Sequence, residues 1–252
     1  MTGIAPFRFA SASCSHVGLV RAVNEDAFLD QPERGLWAVA DGMGGHAIGD
    51  VASRMVIDAL SHVSSSDNLM SLMGDARQRL LSVNRQLRSE AASRGVQIIG
   101  STVVVLFACS DYCGWMWAGD SRLYLYREGR LKLMTRDHSR VEELKSSGQF
   151  TAENPPRNVI TRAVGARDTL GLEVDTMQIQ HGDIFLLCSD GLSNALSEAE
   201  IADVLVSGDC RQASNALIEL ALQRGGRDNI SVVVTGVEDI YGDEKTVLNP
   251  AL

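Results

Sequence analysis

The chain has 252 residues, 45% of them hydrophobic, and a net charge of −9. That length suits one large domain or two small ones, and the composition excludes a disordered chain. The acidic balance argues against a nucleic-acid partner held through its phosphates and is compatible with carboxylates gathered around divalent cations. The five cysteines (Cys14, Cys109, Cys113, Cys188 and Cys210) show no paired spacing. A reducing compartment is therefore expected, with Cys109 and Cys113 as small buried side chains. No basic-then-apolar leader opens the sequence, and no apolar run nears the ~18 residues needed to span a bilayer. A cytoplasmic protein without membrane association is expected.

Phe7 and Phe9 alternate as on a strand, and Ala27-Phe28-Leu29 is a short strand candidate. Gly35 precedes Leu36-Trp37-Ala38-Val39-Ala40, an apolar run suited to a buried strand. Over residues 49–63, Val51, Ala52, Met55, Val56, Ala59, Leu60 and Val63 recur at helical spacing. A second helix is predicted over 68–93, with Leu72, Met73, Ala76, Leu80, Val83 and Leu87 on one side. Its Arg77, Arg79, Arg85 and Arg88 read as a solvated face. Strands follow over 101–108, 112–118 and 122–126, with a turn at Glu128-Gly129.

Residues 135–165 lose periodicity, apart from a helical turn near 139–147, and contain Asn154-Pro155-Pro156. This is a long surface excursion of the kind that often serves function. Strands resume at 172–179 and 183–188. Helices are predicted over 197–206, opened by the capping box Ser197-Glu198-Ala199-Glu200, and over 209–224. A last strand covers 230–235. Alternating βα units are absent, and helix pairs fall between runs of strands, so a sandwich of sheets with helices outside is expected. No linker or repeat divides the chain. Residues 1–237 read as one domain and 238–252 as a flexible tail, the alternative for the tail being that Thr246 is a phosphorylation site read by a partner domain.

The chemistry centres on Ala38-Val39-Ala40-Asp41-Gly42-Met43-Gly44-Gly45-His46, read as a strand ending on an acid, then a glycine-rich turn and a helix from about Gly49. Asp-Gly alone is a common turn. Four other acidic stretches share the strand-end context: Asn24-Glu25-Asp26, Gly119-Asp120-Ser121, Ser189-Asp190-Gly191 and Arg227-Asp228-Asn229. Carboxylate oxygens are hard ligands that suit Mg²⁺ or Mn²⁺. Gathered together, they repel one another unless cations fill the space. Two cations there could hold a water between them, lower its pKa and direct it at phosphorus. Arg21, four residues before Glu25, is the candidate for gripping phosphate oxygens. There is no G-x-x-x-x-G-K-[ST] phosphate loop and no G-x-S-x-G elbow around Ser189. The histidines are scattered, with His138 notable for opening the excursion. Direct water attack fits these residues best. A small-molecule phosphoesterase and a catalytically weak phosphoprotein-binding regulator stay open as alternatives.

Arg21-x-x-Asn24-Glu25-Asp26, Asp41-Gly42-Met43-Gly44-Gly45-His46, Gly119-Asp120-Ser121-Arg122, Asp137-His138-Ser139, Ser189-Asp190-Gly191 and Asp228-Asn229 occur in order. This set closely resembles the bacterial metal-dependent serine/threonine protein phosphatases of the 2C type, over about residues 7–236. The resemblance implies an α+β fold, a four-layer α-β-β-α sandwich of two mainly antiparallel sheets flanked by helix pairs. It implies two core Mn²⁺ or Mg²⁺ ions bridged by Asp41. Asp190, Asp228 and the Gly42 carbonyl would be ligands, and Glu25 and Asp26 would act through water. A third ion would take Asp120 with Asp190, Arg21 would hold the substrate phosphate, and Asn229 would support the site from behind. Implied partners are phosphorylated Ser/Thr proteins, a cognate kinase and its targets, and a monomer is expected. Some bacterial members serve secretion-system signalling. Met43 stands where animal members usually carry a histidine proposed as general acid. The flap, about 139–164, is shortened at Thr151-Ala152-Glu153-Asn154-Pro155-Pro156, which bears on third-ion binding and substrate choice.

Overall fold

Period-two alternation in the apolar strands gives each of them two different partners. In the computed structural model, which describes residues 7–44, 48–148, 159–206 and 209–240, these partners are a second sheet on one face and a helix pair on the other. The first sheet contains β1 (Phe7–His16), β7 (Arg122–Arg127), β8 (Arg130–Leu133), β10 (Ile184–Cys188) and β11 (Ile230–Asp239), in the order β1-β11-β10-β7-β8. The second contains β2 (Asp26–Gln31), β3 (Leu36–Met43), β5 (Val103–Cys109), β6 (Tyr112–Ala118) and β9 (Glu173–Gln178), in the order β2-β3-β5-β6-β9. The two-residue β4 (Gly100–Ser101) pairs with the end of β3. Every named pairing is antiparallel.

Trp37, Val39, Val104, Leu106, Trp115, Phe185, Leu187 and Val233 fill the space between the sheets. Their strand neighbours Ala38, Ala40, Val103, Val105 and Phe107 face α1 (Gly49–Ser61) and α2 (Leu69–Arg94). On the far side, Leu186, Cys188, Val232 and Val234 meet α5 (Glu198–Val206) and α6 (Cys210–Gln223). The result is the expected α-β-β-α sandwich. The two shorter helices, α3 (Arg140–Ser146) and α4 (Asp190–Ser193), lie outside the two pairs. The capping box at Ser197 forms as predicted: Glu200 N donates to Ser197 Oγ, and Ser197 N donates to Glu200 Oε2.

Several elements differ from expectation, the short β4 and α4 among them. The predicted turn after Asp41 is strand, because Gly42 and Met43 pair with Ser101 and Gly100 of β4. β11 continues past Thr235 to Asp239, because β1 supplies a partner all the way to Phe7. The tail therefore cannot begin at residue 238. β8 was not predicted; its half-charged sequence lacks an apolar run, and the Glu128-Gly129 turn folds it onto β7. Both turn residues have positive φ, 50° and 78°, as a tight two-residue hairpin requires. Gly45 and His46, the flap tip at 149–158, and Thr246 lie outside the described residues. Among the described residues, no helix is long and apolar enough to cross a membrane.

At one end of the sandwich Asp183, fully buried, accepts from Arg127 Nε at 2.6 Å and Nη2 at 2.7 Å and from Gln180 N at 2.9 Å. Arg127→Met would leave that carboxylate buried without its cation. We expect a loss of roughly 3 kcal/mol of stability in urea unfolding, the lower end for breaking a buried ion pair because Arg127 is partly exposed. A loss within error of zero would show that the pair does not brace the sheet.

Candidate metal centre

The β2–β3 register sets Asp26 directly opposite Asp41. Like charges facing each other across a ladder are destabilising, so sheet pairing alone gives no reason for this choice. Asp41 shares the face of Trp37 and Val39, so it continues the inter-sheet row at the sheet's end. Gly42 faces the other way, toward α1. A Cβ there would lie 2.0 Å from Gly49 O and 2.7 Å from Glu25 O, so only glycine lets the helix start come against the strand. That helix start holds Glu25: Gly49 N donates to Glu25 Oε1 at 3.2 Å, where the N-terminal dipole favours an anion.

The other sheet contributes from the ends of β10 and β11. Ser189 follows β10, and Asp190 opens α4. Ser189 Oγ donates to Asp26 Oδ2 at 2.7 Å and accepts from Ser231 N at 3.0 Å, so one hydroxyl ties the two sheets together at the site. Asp190 Oδ2 accepts from Asn194 Nδ2 at 3.1 Å. Asp228 Oδ2 accepts from Arg21 Nη2 at 2.8 Å, and the guanidinium remains half-exposed. Asn229 is buried; its Oδ1 accepts from Glu25 N at 2.8 Å, and its Nδ2 donates to Val17 O and Val23 O at 2.9 and 3.0 Å. One amide thus closes the loop that carries Arg21. From the β4–β5 junction and the β6–β7 turn come two supports that sequence reasoning missed. Asp41 N donates to Thr102 Oγ1 at 2.9 Å, and Thr102 Oγ1 lies 2.7 Å from Ser121 Oγ, next in chain to Asp120. Their only signal was a pair of hydroxyls flanking acidic or glycine-rich stretches, which is too common to read.

The electrostatics are those of acids confined together. Burial pushes Asp26 up to about 7, with Asp190 and Asp228 adding to the rise against hydrogen bonds from Ser189 and Ser231. Burial likewise holds Asp41 well above the carboxylate range, with Asp26, Asp190, Asp120 and Asp228 all adding to the effect. Asp120 rises to about 7 through burial, then Asp190 and Asp137. Asp190 rises to about 6 through burial, then Asp228. Oδ1 of Asp26, Asp120 and Asp190 is buried with no hydrogen-bond partner. Buried polar atoms are nearly always paired, so three orphaned carboxylate oxygens in one cluster call for a cation. The all-oxygen donor set fits Mg²⁺ or Mn²⁺. Among the described residues no three acidic, His or Cys side chains converge at ligating spacing.

The remaining candidates serve structure. His138 is buried and stacked on Trp117 with ring centroids 5.9 Å apart; its Nδ1 accepts from Gly119 N, and its Nε2 lies 3.0 Å from Glu173 Oε1. Ser189 spends its hydroxyl between Asp26 and Ser231. Neither is placed as a nucleophile or base.

A family model described as protein phosphatase 2C matches residues 13–220. The serine/threonine protein phosphatase PstP of Mycobacterium tuberculosis is 38% identical over 254 residues, covering 96% of this chain and 48% of its own length. The chain thus spans about half the length of that curated relative. Among solved structures, PppA of Pseudomonas aeruginosa, described as a key regulatory component of T6SS, is 46% identical with a TM-score of 0.87. The match covers 91% of this chain and 98% of that one. The catalytic domain of a serine/threonine protein phosphatase PstP in complex with 2 manganese ions is 34% identical with a TM-score of 0.83, over 92% and 100% of the two chains.

The raised acids set a pH dependence. Asp26 and Asp120 fold with pKa values above their unfolded value of about 4, so their contribution favours folding at low pH and is lost as pH rises through about 7. In chelator, Asp120→Asn should raise Tm by several degrees at pH 8, and the gain should vanish near pH 4. Scanning calorimetry across that range checks it; an equal gain at both ends would show that Asp120 charge is not the cause.

Proposed function

Because this chain belongs to the protein phosphatase 2C family, we propose that it is a metal-dependent serine/threonine protein phosphatase. The observation that carries this reading is the cluster of partnerless carboxylate oxygens on Asp26, Asp120 and Asp190 beside Asp41. In this reading Asp41, Asp190, Asp228 and the Gly42 carbonyl would hold two ions, Glu25 and Asp26 would support them, and Asp120 with Asp190 would offer a third position. When bound, Mn²⁺ or Mg²⁺ supplies the charge that lowers the pKa of water and neutralises phosphoryl oxygens.

The chain's own part is to grip, orient and support. Arg21, oriented by Asp228 and half-exposed, presents its guanidinium to the phosphate. Asn229 and the Thr102–Ser121 pair hold the loop and strand that bear Arg21 and Asp41. Water attacks phosphorus, the phosphorus–oxygen ester bond breaks, one proton of the water ends on the leaving serine or threonine oxygen, and the other stays on the phosphate. The products are a free hydroxyl and inorganic phosphate. Met43 offers no proton, so the leaving oxygen is protonated without a side chain at that position. Substrates are phosphorylated proteins, with a kinase of opposite action as the counterpart and the protein acting as a monomer. Because PppA is described as a key regulatory component of T6SS, the phosphoproteins of such a system are the first to test.

Phosphate release from a phosphothreonine peptide should require Mn²⁺ and stop with chelator. Asp190→Asn should lower kcat by at least roughly 100-fold, since losing even a partner behind a metal ligand costs about 10–100-fold. Asn229→Ala should cost roughly tenfold in kcat/KM. Release that persists in chelator, or that survives Asp190→Asn, would exclude the reading.

A further inference from the structure

The loop that carries Arg21 is tipped with apolar side chains. Val20 is 69% exposed and Leu19 66%, two of the three most exposed large apolar side chains among the described residues; Val23 is also exposed. They sit on a tied-down segment. Leu19 N donates to Gly226 O at 2.6 Å, Gly18 N donates to His16 Nδ1 at 2.9 Å, and Asn229 holds the carbonyls of Val17 and Val23. Arg21 itself is anchored on Asp228. A fixed loop cannot turn these side chains inward, so their contact with water is a standing cost, and a binding event that covers them recovers it.

Their place along the chain says what covers them. An extended peptide advances about 3.3–3.6 Å per residue. If its phosphate rests on Arg21, the residues beside the phosphorylated one pass within reach of Val20 and Leu19. Glu25, Asp190 and Asp228 lie near Arg21, which disfavours acidic neighbours in the peptide on that side. We infer that Leu19 and Val20 are specificity contacts that select phosphopeptides with a bulky apolar residue next to the phosphoserine or phosphothreonine. This rests on the phosphatase reading above and names the substrate class for the same site.

The test compares phosphothreonine peptides with leucine or glycine on both sides of the phosphothreonine, and p-nitrophenyl phosphate, which has no neighbours. Wild type should favour the leucine peptide by roughly tenfold in kcat/KM, through KM, as expected for one apolar contact. Leu19→Ser combined with Val20→Thr should abolish that preference and leave p-nitrophenyl phosphate hydrolysis within about twofold. Val20→Thr alone, which keeps the side-chain shape, should weaken the preference even if the double variant folds poorly. Equal rates on the two peptides while p-nitrophenyl phosphate is hydrolysed would overturn this inference alone. No hydrolysis of any of the three would overturn the phosphatase reading, and this inference with it. A wild-type dimer in sedimentation that Val20→Thr dissolves would assign the patch to a second copy instead and overturn the inference.

Discussion

Repulsion among buried carboxylates is the constraint around which this fold is arranged. Asp26 faces Asp41 across one ladder, and Asp190, Asp228 and Asp120 arrive from three other chain segments. Left to itself, such a cluster opposes folding, and the raised proton affinities of four of its members express that opposition. The rest of the molecule supplies the compensation. Three apolar layers clamp two sheets between helix pairs, so the ends of the strands have nowhere else to go.

Neutral hydrogen bonds, rather than salt bridges, position the acids. Ser189, Thr102, Ser121 and Asn229 fix the backbone and side chains around the cluster without adding positive charge. That choice has a physical logic. A lysine or a second arginine at those places would neutralise the carboxylates permanently and compete with any cation for them. Arg21 is the exception, and it meets only Asp228, at the exposed rim. The site is therefore kept short of positive charge, which is the condition under which divalent ions bind strongly.

Much of this was legible in order but not in depth. Apolar alternation located the strands of the inter-sheet core, and acids at their ends marked the site, because burial and charge leave separate traces in a sequence. The boundaries were less visible. Strand after Asp41 depends on a two-residue partner, Gly100–Ser101, some sixty positions away, and no local propensity announces it. β8 is held by a turn with two residues at positive φ rather than by an apolar pattern. Thr102 and Ser121 are ordinary hydroxyls until folding sets them 2.7 Å apart. His138, notable in the sequence for opening the excursion, proves to be a buried prop for the backbone beside Asp120, a role that depends wholly on tertiary placement.

The ten-residue pairing of β1 with β11 also bears on synthesis in time. Among the described residues, β1 is an edge strand whose sole sheet neighbour is β11, the last strand in chain order. While the chain leaves the ribosome, β1 must wait, unpaired, until residues near 230–239 have emerged. Asp228 and Asn229, which anchor Arg21 and its loop, arrive in the same final stretch. The cell therefore receives this centre all at once: a chain cut or stalled before that point carries most of the acids, yet has no means of assembling them. Such late long-range closure slows folding, and a chain that stops before it lacks the two residues that tie down the Arg21 loop.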